Sequence, residues 1–218
     1  NGERPSSRPM DDSAPPGAAA RPPLRSLSVG VGGFYSESPY QGIGHEGRVL
    51  PTITYFGSHV FIAGPTAGVF IGPPGTLRAS LLGRVRFRSY KDSDSPALAG
   101  MDDRRETFEA GMNMDRRLGT GRLSVEIMTD TLGRHNGQYA TARISRGVRF
   151  NQGSLTPALS LGWQNARMSD YYYGVDEHEA APGRPPYTPG DTVTGEAGLM
   201  LLLRSFDPWT ITLGTGIE

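Results

Sequence analysis

The sequence holds four histidines, His45, His59, His135 and His178, the side chains suited to proton transfer near neutral pH. Two of them adjoin acids, in His45-Glu46 and in Asp176-Glu177-His178-Glu179, which together offer imidazole nitrogen and carboxylate oxygen to a divalent cation. Neither segment has the His-Glu-x-x-His spacing that sets two imidazoles on one helix face, so solvated loop charge is the expected state and no metal site is assigned. "GIGHEG" at 42–47 has the glycine spacing of a dinucleotide loop. It runs into "RVLPTITYF", where Pro51 and the β-branched residues make a strand in place of the required helix. His135 and Asp130 are the nearest approach to a base with an orienting acid, but no spacing joins them to a nucleophile. No catalytic residue and no cofactor are therefore expected. Arg84, Arg86 and Arg88 remain, at alternate positions about 7 Å apart on an extended chain.

Composition limits what could position these groups. Lysine plus arginine equals aspartate plus glutamate at 22 each, so no global basic field favours nucleic acid. The absence of cysteine removes disulfides, thiolate metal sites and thiol nucleophiles together. Thirty glycines and 18 prolines suit many strands with tight turns better than a helical bundle. No apolar run approaches the roughly 18 residues of a membrane helix; "GLMLLL" at 198–203 is the longest. Residues 1–25 are rich in proline, serine and charge and read as a disordered arm.

From Ser26 onward the apolar residues recur with period two. In 76–90, Leu77, Ala79, Leu81, Gly83, Val85 and Phe87 share one face, and Arg78, Ser80, Leu82, Arg84, Arg86 and Arg88 the other. "RLSVEIMTD", "SLTPALSLGWQ", "TVTGEAGLMLLLR" and "WTITLGTGI" repeat the pattern. A soluble barrel turns its apolar face inward, whereas an outer-membrane barrel turns it to lipid. Alternation does not choose between them, but length does. Most segments exceed the about 9–11 residues that span a bilayer at a tilt, while soluble strands commonly have about 5–6. Tight turns are expected at 56–59, 72–75, 118–121, 151–153 and 205–208, with longer loops at 37–46, 91–103 and 169–191. A break at Gly64-Pro65 restores the alternation of short turns and long loops and gives eleven strands; without it there are ten.

"DDRRETFEAGM" (102–112), "DTLGRHNG" (130–137) and "LTPALSLGWQNARMSDYYYGV" (155–175), with the opening "SVGVGGFYSESPYQG", resemble the MipA/OmpV family, the MltA-interacting proteins. The resemblance covers residues 26–218, and its most specific element is the tyrosine loop after a strand ending in tryptophan. It implies an all-β, antiparallel transmembrane β-barrel in the bacterial outer membrane, with the arm 1–25 in the periplasm. For some members it also implies a scaffold that holds a lytic transglycosylase near a penicillin-binding protein; other members are porin-like, osmotic-response or adhesion barrels. It carries over no catalytic residues. Barrels of this kind usually end on a strand with a terminal aromatic, whereas this chain stops at Gly216-Ile217-Glu218. A closing strand, twelve in the complete form, is therefore expected beyond it.

In such a barrel Arg84, Arg86 and Arg88 must face the lumen, because on the lipid face each would cost roughly 2–4 kcal/mol near midplane. There they either line an anion-selective pore or form ion pairs with Glu109, Glu126 or Glu196, and a narrow, filled interior favours the pairs. Arg146 shares parity with Ala142, Ile144 and Val148 and breaks the pattern, as a bulge or a place near the periplasmic rim would allow. Trp163, Tyr171, Tyr172, Tyr173 and Trp209 are expected as interface aromatics, with apolar rings and wet polar edges at the headgroups. The expected partners are the lipid bilayer and a periplasmic murein hydrolase or synthase.

Overall fold

A computed structural model describes residues 26–37, 45–73, 75–206 and 208–217; the arm 1–25 and the first half of "GIGHEG", 42–44, lie outside the described residues. The strands are β1 (Ser26–Glu37), β2 (His45–Phe56), β3 (Val60–Ala63), β4 (Thr66–Ile71), β5 (Leu77–Arg86), β6 (Thr107–Leu118), β7 (Gly121–Asp130), β8 (Gln138–Arg146), β9 (Val148–Phe150), β10 (Gly153–Gln164), β11 (Thr192–Phe206) and β12 (Trp209–Ile217). They form one antiparallel sheet in the order β1-β2-β3-β4-β5-β6-β7-β8-β10-β11-β12, with β9 pairing β10 beyond Gly147. Within the described residues the sheet is not closed, and β1 and β12 are its edges. No helix is long and apolar enough to cross a membrane, which leaves crossing by strands untouched.

The break at Gly64-Pro65 is present. Ala63 pairs with Thr66 across a two-residue turn, and Gly64 takes φ +58°, a left-handed conformation that a side chain would strain. Eleven strands therefore follow one another across the sheet, with β9 as a short continuation of β8's line. The five expected tight turns join strands at one end, while the segments 87–106, 131–137 and 165–191 join them at the other.

Burial is inverted relative to a soluble sheet. On β10, Leu159 and Leu161 are 61% and 64% exposed, whereas Ala158 and Ser160 between them are 6% and 8%. The same holds for exposed Val125 and Ile127 on β7 beside buried Met128, and for exposed Leu81 on β5 between buried Ser80 and Leu82. A continuous apolar face of this extent is stable only against an apolar medium. The chain is an all-β, antiparallel protein of the transmembrane-barrel class.

The segment expected as an open loop at 169–191 is ordered differently. Residues Ala166–Tyr173 form a helix, α1, capped by Asn165, whose side chain accepts the Met168 N–H at 3.2 Å. Its Met168 and Tyr172 join Leu82, Met128 and Tyr139 in one apolar cluster inside the curve of the sheet. Tyr90, Leu98 and Met101, with Val175 against them, form a second cluster in the long-loop cap.

Candidate functional site: an ion-paired interior under a tyrosine cap

The polar face brings most of the expected charges together. Arg84 on β5 and Glu109 on β6 are direct cross-strand partners. Arg86 Nε donates to Glu109 Oε1 at 2.6 Å, and the Glu109 side chain is wholly buried. Arg84 donates to Glu126 Oε1 on β7 at 2.8 Å, with its Nε 3.9 Å from Glu109 Oε2. The Tyr139 hydroxyl on β8 donates to the same Glu126 oxygen at 3.0 Å, and its ring centre lies 4.6 Å from the Arg86 guanidinium. Arg88 continues the ladder upward and donates to the Tyr173 hydroxyl at 2.5 Å. Glu196 on β11 is exposed and makes no ion pair among the described residues. It shares a register row with Ser160 and Arg143, all lining a cavity of about 480 Å³. A second cavity of about 390 Å³ lies beneath α1, lined by Arg88, Met168 and Tyr173.

The three tyrosines are not boundary markers. Tyr172 is 1% exposed, with its ring in the apolar cluster and its hydroxyl without a hydrogen-bond partner among the described residues. The Tyr171 hydroxyl accepts the Arg105 N–H at 2.8 Å, and its carbonyl accepts Arg104 Nε at 2.5 Å. The helix turns these rings over the Arg–Glu ladder, because Asn165 starts it as soon as β10 ends and Met168 and Tyr172 fall on one face at a spacing of four. Tryptophan behaves otherwise. Trp163 shares the exposed face with Leu161 and donates Nε1 to Asp191 at the long-loop end. Trp209 is exposed on β12 beside the turn at the other end.

His135 sits between ladder and cap. Its Nδ1 accepts the Gly137 N–H at 3.0 Å, which leaves Nε2 to carry the proton, 3.6 Å from Glu109 Oε1. Its ring lies 5.7 Å from that of Tyr172. Asp130 does not orient this imidazole. Its oxygens accept the backbone N–H groups of Leu132, His135 and Asn136 and the Thr107 hydroxyl, winding the 131–137 loop into a tight cup. Gly137 is required there, since a Cβ would stand 2.7 Å from the Met168 nitrogen.

The cap is held by a buried pair that alternation could not reveal. Arg104 donates to both oxygens of Glu179 at 3.0 and 3.3 Å, and those oxygens also accept the N–H groups of Asp102 and Asp176. Burial alone would raise the Glu179 carboxyl; the two backbone donors and the Arg104 guanidinium outweigh it and hold the group below the usual glutamate value. Burial likewise pushes the Tyr90 phenol up. Arg184 completes the cap by donating to the carbonyls of Ala97, Ala99 and Glu179. Asp102, His178 and Glu179 lie close enough to share an ion, but Glu179 is already taken up by N–H donors. What remains is the exposed contact of His178 with Asp102 at 3.3 Å, two ligands where a closed site needs about four. Arg104 and Glu179 lie in segments without strand periodicity, so only their charge was visible in sequence. Tyr139 and Arg143 were legible, since "QYATARISR" alternates like its neighbours.

Comparison with known proteins agrees with this architecture. The family model for MltA-interacting protein MipA matches residues 29–218. The chain is 27% identical over 191 residues to the MltA-interacting protein of Escherichia coli (strain K12), covering 85% of this chain and 75% of that one. It is 29% identical over 156 residues to the Escherichia coli (strain K12) protein YiaT, named as an outer membrane protein, covering 71% of this chain and 63% of that one. Outer membrane protein OmpV of Vibrio cholerae is 27% identical over 124 residues, 57% of this chain and 48% of its own length. The chain thus spans less than two thirds of YiaT, and no solved structure matches it. With its inverted burial and strand-only crossings, the chain belongs to the MltA-interacting protein MipA family of outer-membrane β-barrel proteins.

Proposed function

We propose that the protein is a non-catalytic scaffold of the outer membrane whose short-turn end docks a murein-remodelling enzyme in the periplasm. The observation that carries the reading is the ion-paired, helix-capped interior. Arg84 and Arg86 are engaged by Glu126 and Glu109, and α1 lies over them, so the molecule offers surfaces before it offers a path. One relative is named MltA-interacting protein, and the family resemblance implies the class of such a partner, a lytic transglycosylase. Arg84, Arg86, Arg88, Glu109 and Glu126 act here as lumen packing, and Trp163 and Trp209 anchor the two headgroup layers. The partner is met through the turns at 118–121, 151–153 and 205–208 or the arm 1–25.

Capture of a purified transglycosylase by the protein in detergent tests this. Replacing the turns and the arm by glycine-serine segments should abolish capture, and capture that survives all the replacements removes the reading. A narrow channel is the second reading, favoured by Arg143 and Glu196, which form no ion pair among the described residues, beside the 480 Å³ cavity. Planar-bilayer recording separates the two, with Arg84→Ala as control. Steps of conductance in the wild type would favour the channel, and silence in both proteins removes it.

A further inference from the structure

Formal neutrality hides a separation of charge. At the short-turn end, Arg78, Arg117, Arg122, Arg149 and Arg204 come from five strands, and each follows the parity of the polar face on its strand. Among the described residues Asp115 is the one acid of this rim, 3.9 Å from Arg122. Arg117 and Arg122 stand directly opposite one another across β6 and β7. Like charges so placed repel, and all but half-buried Arg78 are exposed. Arg116 and Arg146 at the same level follow the apolar parity instead; Arg116 lies between Leu77 and Leu123, and Arg146 beside Gly121 at the turn. That place at the rim accounts for the odd parity of Arg146.

We infer that the inward arginines of the short-turn end form a docking arc for a carboxylate-bearing polymer, the stem peptides of murein. Three features select this occupant. Guanidinium forks match carboxylates in two-point contact, and one arginine on each of several neighbouring strands presents a repeating array. Aromatic rings on this face, Phe61 and Phe70, lie at the Arg78 edge of the array, and Leu118 and Phe150 at this level lie on the apolar parity. Among the described residues the arginines from Arg117 to Arg204 therefore do not surround the aromatic centre of a protein–protein interface. Lipid phosphates would be met by the outward Arg116 and Arg146, not by side chains that face the mouth. The short-turn end of an outer-membrane barrel faces the periplasm, where murein lies. The inference rests on that orientation and not on enzyme docking.

Co-sedimentation with purified sacculi tests it, using the full chain in detergent. Arg117→Gln/Arg122→Gln should weaken retention roughly 3- to 30-fold, as two exposed charge contacts would. Arg117→Lys/Arg122→Lys should retain most of it, and sacculi with amidated carboxyls should lose it. Arg116→Gln/Arg146→Gln should leave sacculus binding unchanged and weaken only flotation with phosphatidylglycerol vesicles. Unchanged retention in the first variant overturns the inference, as does equal loss in the outward pair. Heat-modified migration in detergent gels checks folding of every variant. Retention on sacculi alongside failed transglycosylase capture would remove the docking reading and leave this one standing.

Discussion

The two ends of the barrel solve the problem of charge in opposite ways. The segments 91–106 and 165–191 carry ten acids against five bases, and the strongest contacts at that end of the barrel are turned inward: Arg104 on Glu179, Arg184 on three carbonyls, and Asp130 at the end of β7 on the N–H groups of the 131–137 loop. The short-turn end carries arginines with one acid among the described residues, and its Arg117–Arg122 pair faces itself. Buried charge that is fully hydrogen-bonded fixes a structure, whereas exposed like charge waits for a partner. One end is therefore built as a lid and the other as a contact surface.

Breaking the lid should give the largest effect. Arg104→Ala leaves Glu179 buried without its cation, a change that typically costs about 3–5 kcal/mol. Amide exchange in 88–106 and 174–187 should accelerate sharply while the amides of β6 and β7 stay protected. Equal acceleration throughout would mean that the cap is not a separate unit. Tyr172→Ala comes next, since emptying a buried aromatic site costs about 3–5 kcal/mol at full packing and less where α1 can settle. Tyr172→Phe should cost little or nothing, because its hydroxyl has no partner to lose. A large loss in the phenylalanine variant would reveal a hydrogen bond that this conformation lacks.

Acid should loosen the same end. The Glu179 carboxyl sits below its usual value in the folded cap, so its contribution is present above the unfolded pKa and is lost as pH falls through the folded one. Limited proteolysis of the 165–191 segment should therefore increase on acidification below the ordinary glutamate range. Glu179→Gln should raise cleavage at neutral pH and flatten the profile. A profile that stays as steep in the glutamine variant would assign the acid response to another group.

How much of this was legible follows from periodicity. Leu159, Ser160 and Leu161 announced their faces because a strand has no other way to place them. Gly64-Pro65 marked its turn by the backbone it demands, and Arg84, Arg86, Glu109 and Glu126 met because like parity on neighbouring strands brings side chains together. Tyr171, Tyr172 and Tyr173 were misplaced for the converse reason. Their segment has no strand period, and composition alone does not distinguish a ring at a headgroup from a ring packed on His135. The Asn165 cap and the spacing of Met168 and Tyr172 were the available signals, but an eight-residue helix is too short for its period to stand out. The Arg104–Glu179 pair joins residues 75 apart in sequence, and only tertiary contact shows it.

The smallest effect should come from the opposite end, and its sign is what matters. A like-charged cross-strand pair is destabilising by about 0.2–1 kcal/mol, and Asp115 at 3.9 Å from Arg122 offsets part of that. Arg117→Gln/Arg122→Gln should accordingly raise the temperature at which the barrel loses its compact migration, by a margin that shrinks with added salt as screening removes the repulsion. Removing charge from the lid weakens the fold; removing it from the mouth should strengthen it. A loss of stability in this variant would mean that the two arginines hold the turn through contacts of their own, and the mouth would then resemble the lid. A gain, with weaker retention on sacculi, would identify a site where stability has been given up for binding.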